Sequence, residues 1–168
     1  MLRPDAAGCA AVRGLWEDLR TAGLPSVADH RKGAHEPHLS LTVAAHLDPD
    51  ELRARLPAHA VLPAGPLTFE ALGVFPKGVL FVGAVPQERL LAAQTAAHEA
   101  GRASPSTRRP WGHYAPGAWT PHITLGYGLT PAQVGMAAEV LLPSLPLALT
   151  GWTAWLEDGD TGEAWALS

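Results

Sequence analysis

Cysteine is nearly absent. Cys9 is the only one in 168 residues, which excludes an intrachain disulfide and any zinc site built from several cysteines, and suits a reducing compartment, with the cytoplasm as default. Charge is scarce too. Only 17% of residues are charged, 12 basic against 16 acidic for a net charge of −4. That balance argues against a protein that coats long nucleic acid by neutralising phosphates, and leaves a small or terminal anionic substrate open. No hydrophobic run is long enough to cross a bilayer: the most apolar stretch, 140–152, is broken by Pro143, Ser144 and Pro146. The N-terminus shows no basic start followed by an apolar run, so neither signal peptide nor membrane anchor is expected and the chain reads as soluble.

What is present is a globular composition, 47% hydrophobic with mean hydropathy +0.05, in a length that suits one domain or two closely joined lobes. Seventeen glycines and 16 prolines imply many turns and leave no room for coiled coil. Val12, Leu15, Trp16 and Leu19 recur at helical spacing, predicting a helix over 6–22. From Pro37 to Leu47 the chain alternates, with Leu39, Leu41 and Val43 on one face and His38, Ser40 and Thr42 on the other, predicting one half-buried strand. Asp48-Pro49 opens a short helix that Pro57 ends, and 67–75 and 79–85 form a hairpin around Pro76-Lys77-Gly78.

After Pro86 a second long helix runs to Gly101, and the polar, basic stretch 104–117 reads as a loop. Alternation returns over 119–127 as a strand, Thr130-Pro131 starts a helix to about Leu141, and 147–156 with 164–167 make a last hairpin around 157–160. Helix, strand, helix and hairpin thus occur twice, offset by about 84 residues between the strand histidines. The natural α+β solution is two similar lobes, each a small antiparallel sheet backed by helices.

The two predicted strands carry the same pattern: Pro37-His38-Leu39-Ser40-Leu41 and Pro121-His122-Ile123-Thr124-Leu125. Residues two apart on a strand point the same way, about 6.5 to 7 Å apart, so each imidazole shares a face with a hydroxyl. A bare His-x-Ser/Thr pattern is weak, with roughly 0.8 chance matches expected at this composition. Either histidine alone is most simply a strand histidine beside the core. The shared proline, leucine, strand context and position in each half favour a joint role. Facing each other across a cleft, two imidazoles can pass protons to and from the oxygens of a phosphoester while the hydroxyls hold its other oxygens.

With helices before them and hairpins after, the paired motifs and the run GVFPKGVLFVGAV (residues 73–85) resemble the 2H phosphoesterase superfamily. The closer likeness is to its bacterial 2'-5' RNA ligase-like, cyclic phosphodiesterase branch, from about Ala11 to Leu167. The resemblance implies a single two-lobed α+β domain with pseudo-twofold symmetry and a central cleft, working with no cofactor and no metal. It implies His38 and His122 as the acid–base pair, Ser40 and Thr124 as phosphate binders, and hydrolysis of 2',3'-cyclic phosphates or formation of 2',5' linkages. The partners implied are RNA ends or small cyclic nucleotides, bound by a monomer in the cytoplasm. The rival reading is a non-catalytic domain that binds nucleotides or RNA ends in the same cleft. Such proteins begin with a strand, for which Met1–Asp5 is short and interrupted by Pro4.

Other residues have two readings each. Arg31, Lys32, Arg102, Arg108 and Arg109 precede the motif strands and could steer an anionic substrate, though solvated loop charges are the commoner explanation. Tyr127 and Trp119 could stack on a base, but strand phase sets both opposite His122 and favours core packing, unless Gly126 bulges and re-aims the tyrosine. His35 and His38 form His-x-x-His on a loop and strand start rather than on one helix face, so no metal site is expected.

Overall fold

The computed structural model describes residues 1–29, 35–158, 161 and 163–167. Helix α1 (Ala6–Thr21) starts at Asp5, whose side chain accepts from the Gly8 N–H at 2.8 Å, and it buries Val12, Leu15, Trp16 and Leu19. Helix α2 (Pro49–Arg55) is capped by Asp48 with proline in its first turn. Helix α3 (Glu88–Ala103) follows Gln87, and α4 (Pro131–Leu141) opens on a capping box of Thr130 and Gln133.

The strands are β1 (Leu2–Arg3), β2 (Ala44–His46), β3 (Leu67–Phe75), β4 (Val79–Ala84), β5 (Arg108–Pro110), β6 (His122–Gly126), β7 (Leu147–Leu149), β8 (Thr153–Glu157) and β9 (Ala164–Ala166). Among the described residues they form an antiparallel sheet of order β6-β4-β3-β7, a second of order β1-β8-β9, and the pair β2-β5. The architecture is α+β, with antiparallel sheets and, among the described residues, four α-helices. Each larger sheet draws on both halves of the chain. The first hairpin, β3-β4, pairs with β6 of the second half, and the last hairpin, β8-β9, carries β1.

Three segments depart from the expected elements. The stretch 37–47 is not one strand: Leu39 makes a single bridge to Leu2, and pairing resumes only at β2. The carbonyls a ladder would use are taken by side chains, Ser40 O by Trp119 Nε1 at 3.1 Å and Leu41 O by Gln94 Nε2 at 3.3 Å. The stretch 147–156 splits into β7 and β8 in different sheets. It turns at Gly151, whose φ of +63° is left-handed and whose missing side chain leaves room for Asp5. The loop 104–117 contains β5 and a 3-10 turn at Gly112–Tyr114. Met1–Asp5 does supply a strand, two residues long, which pairs with β8 and bridges to Leu39.

The core runs between the sheets and helices, through Leu2, Val12, Leu19, Leu39, Phe69, Leu80, Val82, Ile123 and Leu125. Both motifs put their aliphatic residues into it, Leu39 and Leu41 in one, Ile123 and Leu125 in the other, and leave histidine and hydroxyl half-buried on the opposite side.

Candidate active site

The two motifs are held by the same pair of local devices. His38 Nδ1 lies 2.8 Å from Glu36 O and His122 Nδ1 lies 2.7 Å from Thr120 O, in each case the carbonyl two residues back. A carbonyl can only accept, so each ring carries a proton on Nδ1 and, when neutral, has its lone pair on Nε2. The carbonyl of each hydroxyl residue accepts an indole N–H from the other half of the chain. Trp119 Nε1 donates to Ser40 O and Trp16 Nε1, from α1, donates to Thr124 O, both at 3.1 Å. Arg13 of α1 pairs with Glu36 at 2.6 Å and so steadies the segment that carries the His38 carbonyl partner.

The first motif lies beside the approach to the second. Trp119, which bonds Ser40, stands three residues before His122. Tyr114 lies near the Ser40 side chain, which favours its ionised form, and within electrostatic reach of Tyr127. His113 in turn lies within electrostatic reach of His122 and disfavours its charged form. Residues 111–119 therefore bridge the two motifs.

Both imidazoles are pulled below the ordinary histidine range, first by burial, which penalises the charged ring. At His38 the bond to Glu36 O and the charge of Glu157 oppose the shift, whereas at His122 the bond to Thr120 O opposes it and His113 adds to it. Part of the burial of His122 is aromatic. Phe75 and Phe81 stack with centroids 4.2 Å apart, and His122 meets Phe75 edge-on at 4.8 Å and Phe81 at 5.3 Å. On β4, Phe81 pairs with Thr124 and Gly83 with His122, so Phe81 shares the histidine face. Its ring lies over Gly73, across on β3, where a methyl group would overlap it.

Tyr127 reaches that same face. One step on β4, Phe81 to Leu80, matches two on β6, Thr124 to Gly126, so Leu125 is the extra residue of a bulge. Beyond it Gly126 takes the core phase, pressed against the Pro25 carbonyl, and Tyr127 returns to the side of His122 with 42% of its surface exposed. Trp119 is partly buried against the core, with its indole N–H on the first motif.

Arg31 and Lys32 lie outside the described residues. Arg108 sits in β5, where it pairs with His46 and donates to the Pro105 and Thr107 carbonyls. Among the described residues no three or more His, Cys, Asp or Glu gather to hold a metal ion, and no helix is long and apolar enough to cross a membrane. The residues that sequence reading missed are His113 and Tyr114, in a stretch without periodicity, and Phe75 and Phe81. The alternation of Gly73, Phe75, Phe81 and Gly83 about the turn was the available signal for the last two.

Compared with known proteins, the chain matches the family model described as the 2'-5' RNA ligase superfamily over residues 4–161. No curated protein matches it.

Proposed function

Because the chain belongs to the 2'-5' RNA ligase superfamily, whose activities are of the phosphoesterase and ligase type, we propose that it is a metal-independent phosphoesterase. It hydrolyses 2',3'-cyclic phosphate ends of RNA or of nucleotides. His38 and His122 are the acid–base pair, and Ser40 and Thr124 hold the non-bridging phosphate oxygens.

The observation that carries this reading is the matched presentation of the two imidazoles. Each is fixed by Nδ1 on its own backbone, leaves Nε2 out of that bond, and is half-buried, as is the hydroxyl residue two positions on. In hydrolysis one neutral imidazole takes a proton from water as its oxygen attacks phosphorus. The other, as imidazolium, gives a proton to the ribose oxygen that leaves when the ring opens. After one turnover the proton has moved between the rings, and solvent exchange resets the pair. A five-membered cyclic phosphate is strained, so two imidazoles and two hydroxyls meet its modest demand for activation. Simple binding of an anion would be served better by fixed cations than by two rings whose charged form burial disfavours.

Hydrolysis of the four nucleoside 2',3'-cyclic phosphates, followed with excess EDTA, tests the proposal. Turnover that survives EDTA is expected. Activity abolished by EDTA and restored by a divalent ion overturns the metal-free mechanism, and binding without turnover supports the rival, a non-catalytic nucleotide or RNA-end binding domain.

A further inference from the structure

Trp111 has no part in the chemistry above, yet 48% of its surface is open to solvent. It is also firmly held. Its backbone N–H donates to Val43 O at 3.0 Å, and its ring meets His113 at 5.5 Å and Tyr114 at 6.4 Å. His113 and Tyr114 meet at 4.8 Å, and each leads to one motif, His113 to His122 and Tyr114 to Ser40. Trp111 is thus the outer end of a run of rings whose inner members, His113 and Tyr114, lie within electrostatic reach of the two motifs.

The space beside it is a cavity of about 760 Å³, which Trp111 lines together with Ser40, Thr42 and Trp155. It opens where the first motif, after its single bridge to β1, diverges from the sheet. Among the described residues no lysine or arginine lines it, and its acidic members are Asp158 and Glu157, the latter paired with Arg3. A mostly apolar lining without a lysine or arginine side chain suits an uncharged flat ring better than a second phosphate.

We propose that Trp111 and this cavity are the nucleobase site. The ligand is an uncharged heteroaromatic base, stacked on the indole and joined through its ribose to the phosphate at the histidines. This deepens the function proposed above and rests on it. Because every base offers a π-face, stacking of this kind tolerates all four bases. The acidic lining favours a single terminal nucleotide over continuous RNA running through the cavity.

The test compares kcat and KM of the wild type, Trp111→Ala and Trp111→Phe on adenosine 2',3'-cyclic phosphate and on glycerol 1,2-cyclic phosphate, which keeps the strained ring and lacks the base. Trp111→Ala is expected to raise KM for the adenosine compound about 10-fold more than for the glycerol compound, with Trp111→Phe recovering most of the difference. Equal changes on both substrates, or none, overturn the proposal. A parallel NMR titration with adenosine 2'-monophosphate follows the indole N–H signal missing in Trp111→Phe. A shift that glycerol 2-phosphate does not produce is expected, and its absence counts against the site. Should the wild type turn over neither cyclic phosphate, the phosphoesterase reading falls and this titration alone decides for or against the nucleobase site.

Discussion

The motif at His122 and the motif at His38 have one pattern and two kinds of support. The first of these lies in β6, paired to β4 at four positions from Gly126 to His122, and its imidazole leans on Phe75 and Phe81. The second has a single backbone bridge, Leu39 to Leu2, and depends on side chains that reach in: Trp119 on Ser40 O and Gln94 on Leu41 O. A sheet ladder fixes the direction of every residue along it, whereas each reaching side chain fixes one group. The same local arrangement can therefore be held by a distributed framework on one side and by a few separable contacts on the other, and the two sides should fail differently.

The largest effect should be the same on both sides. His38→Ala and His122→Ala are each expected to lower kcat on a cyclic phosphate by roughly 10² to 10⁴-fold, with folding intact by circular dichroism, as loss of a general acid or base does. A variant that keeps wild-type activity removes its histidine from the mechanism. Next comes Gly73→Ala, which forces Phe81 off β3 and so disturbs His122 alone. A displacement of about 1 Å can cost on the order of 10²-fold in rate. NMR titration should show the His122 pKa rising toward the ordinary range as its aromatic cover loosens, with that of His38 unmoved. Equal movement of both would erase the distinction between the two supports.

Smaller effects sharpen the contrast. Trp119→Phe removes a hydrogen bond from the weakly paired motif and is expected to lower kcat/KM about 10-fold, while Trp16→Phe, acting on a strand the sheet already holds, should lower melting temperature more than activity. The reverse ranking, read from kinetics and thermal melts of both variants, contradicts this division between ladder and side-chain support. Smallest are Ser40→Ala and Thr124→Ala, expected to cost about 3- to 10-fold each, since a neutral hydrogen bond to phosphate contributes on the order of 1 kcal/mol. Hydroxyl variants that are dead beside active histidine variants would reverse the roles.

How legible the molecule is in its sequence depends on range. Features set within a few residues can be read directly: the caps at Asp48 and Thr130, the turn at Pro76-Lys77-Gly78, where Lys77 and Gly78 take positive φ, and the alternation that puts His122 and Thr124 opposite Ile123 and Leu125. Features set by distant partners cannot. The pairing of the first hairpin with β6 is a choice between sheets that local pattern does not encode. The loss of regular strand after Leu39 follows from Trp119 and Gln94, each more than fifty residues away. The bulge at Leu125, which turns Tyr127 to the histidine side, answers to the register with β4 and to the Pro25 carbonyl against Gly126. The loop with Trp111, His113 and Tyr114 has no period to mark it, and its place between the motifs appears only once both are folded.

The claim that the two motifs serve one phosphate is tested most directly by ¹⁵N-histidine NMR titration, free and with adenosine 2'-monophosphate bound. Burial disfavours the imidazolium, so in the free protein both His38 and His122 should titrate below the ordinary value of 6.5. A bound phosphate dianion stabilises imidazolium at any ring beside it, so both values should rise together, and the signals that move should be those of Nε2. A rise at one histidine with the other unchanged would contradict a shared phosphate site.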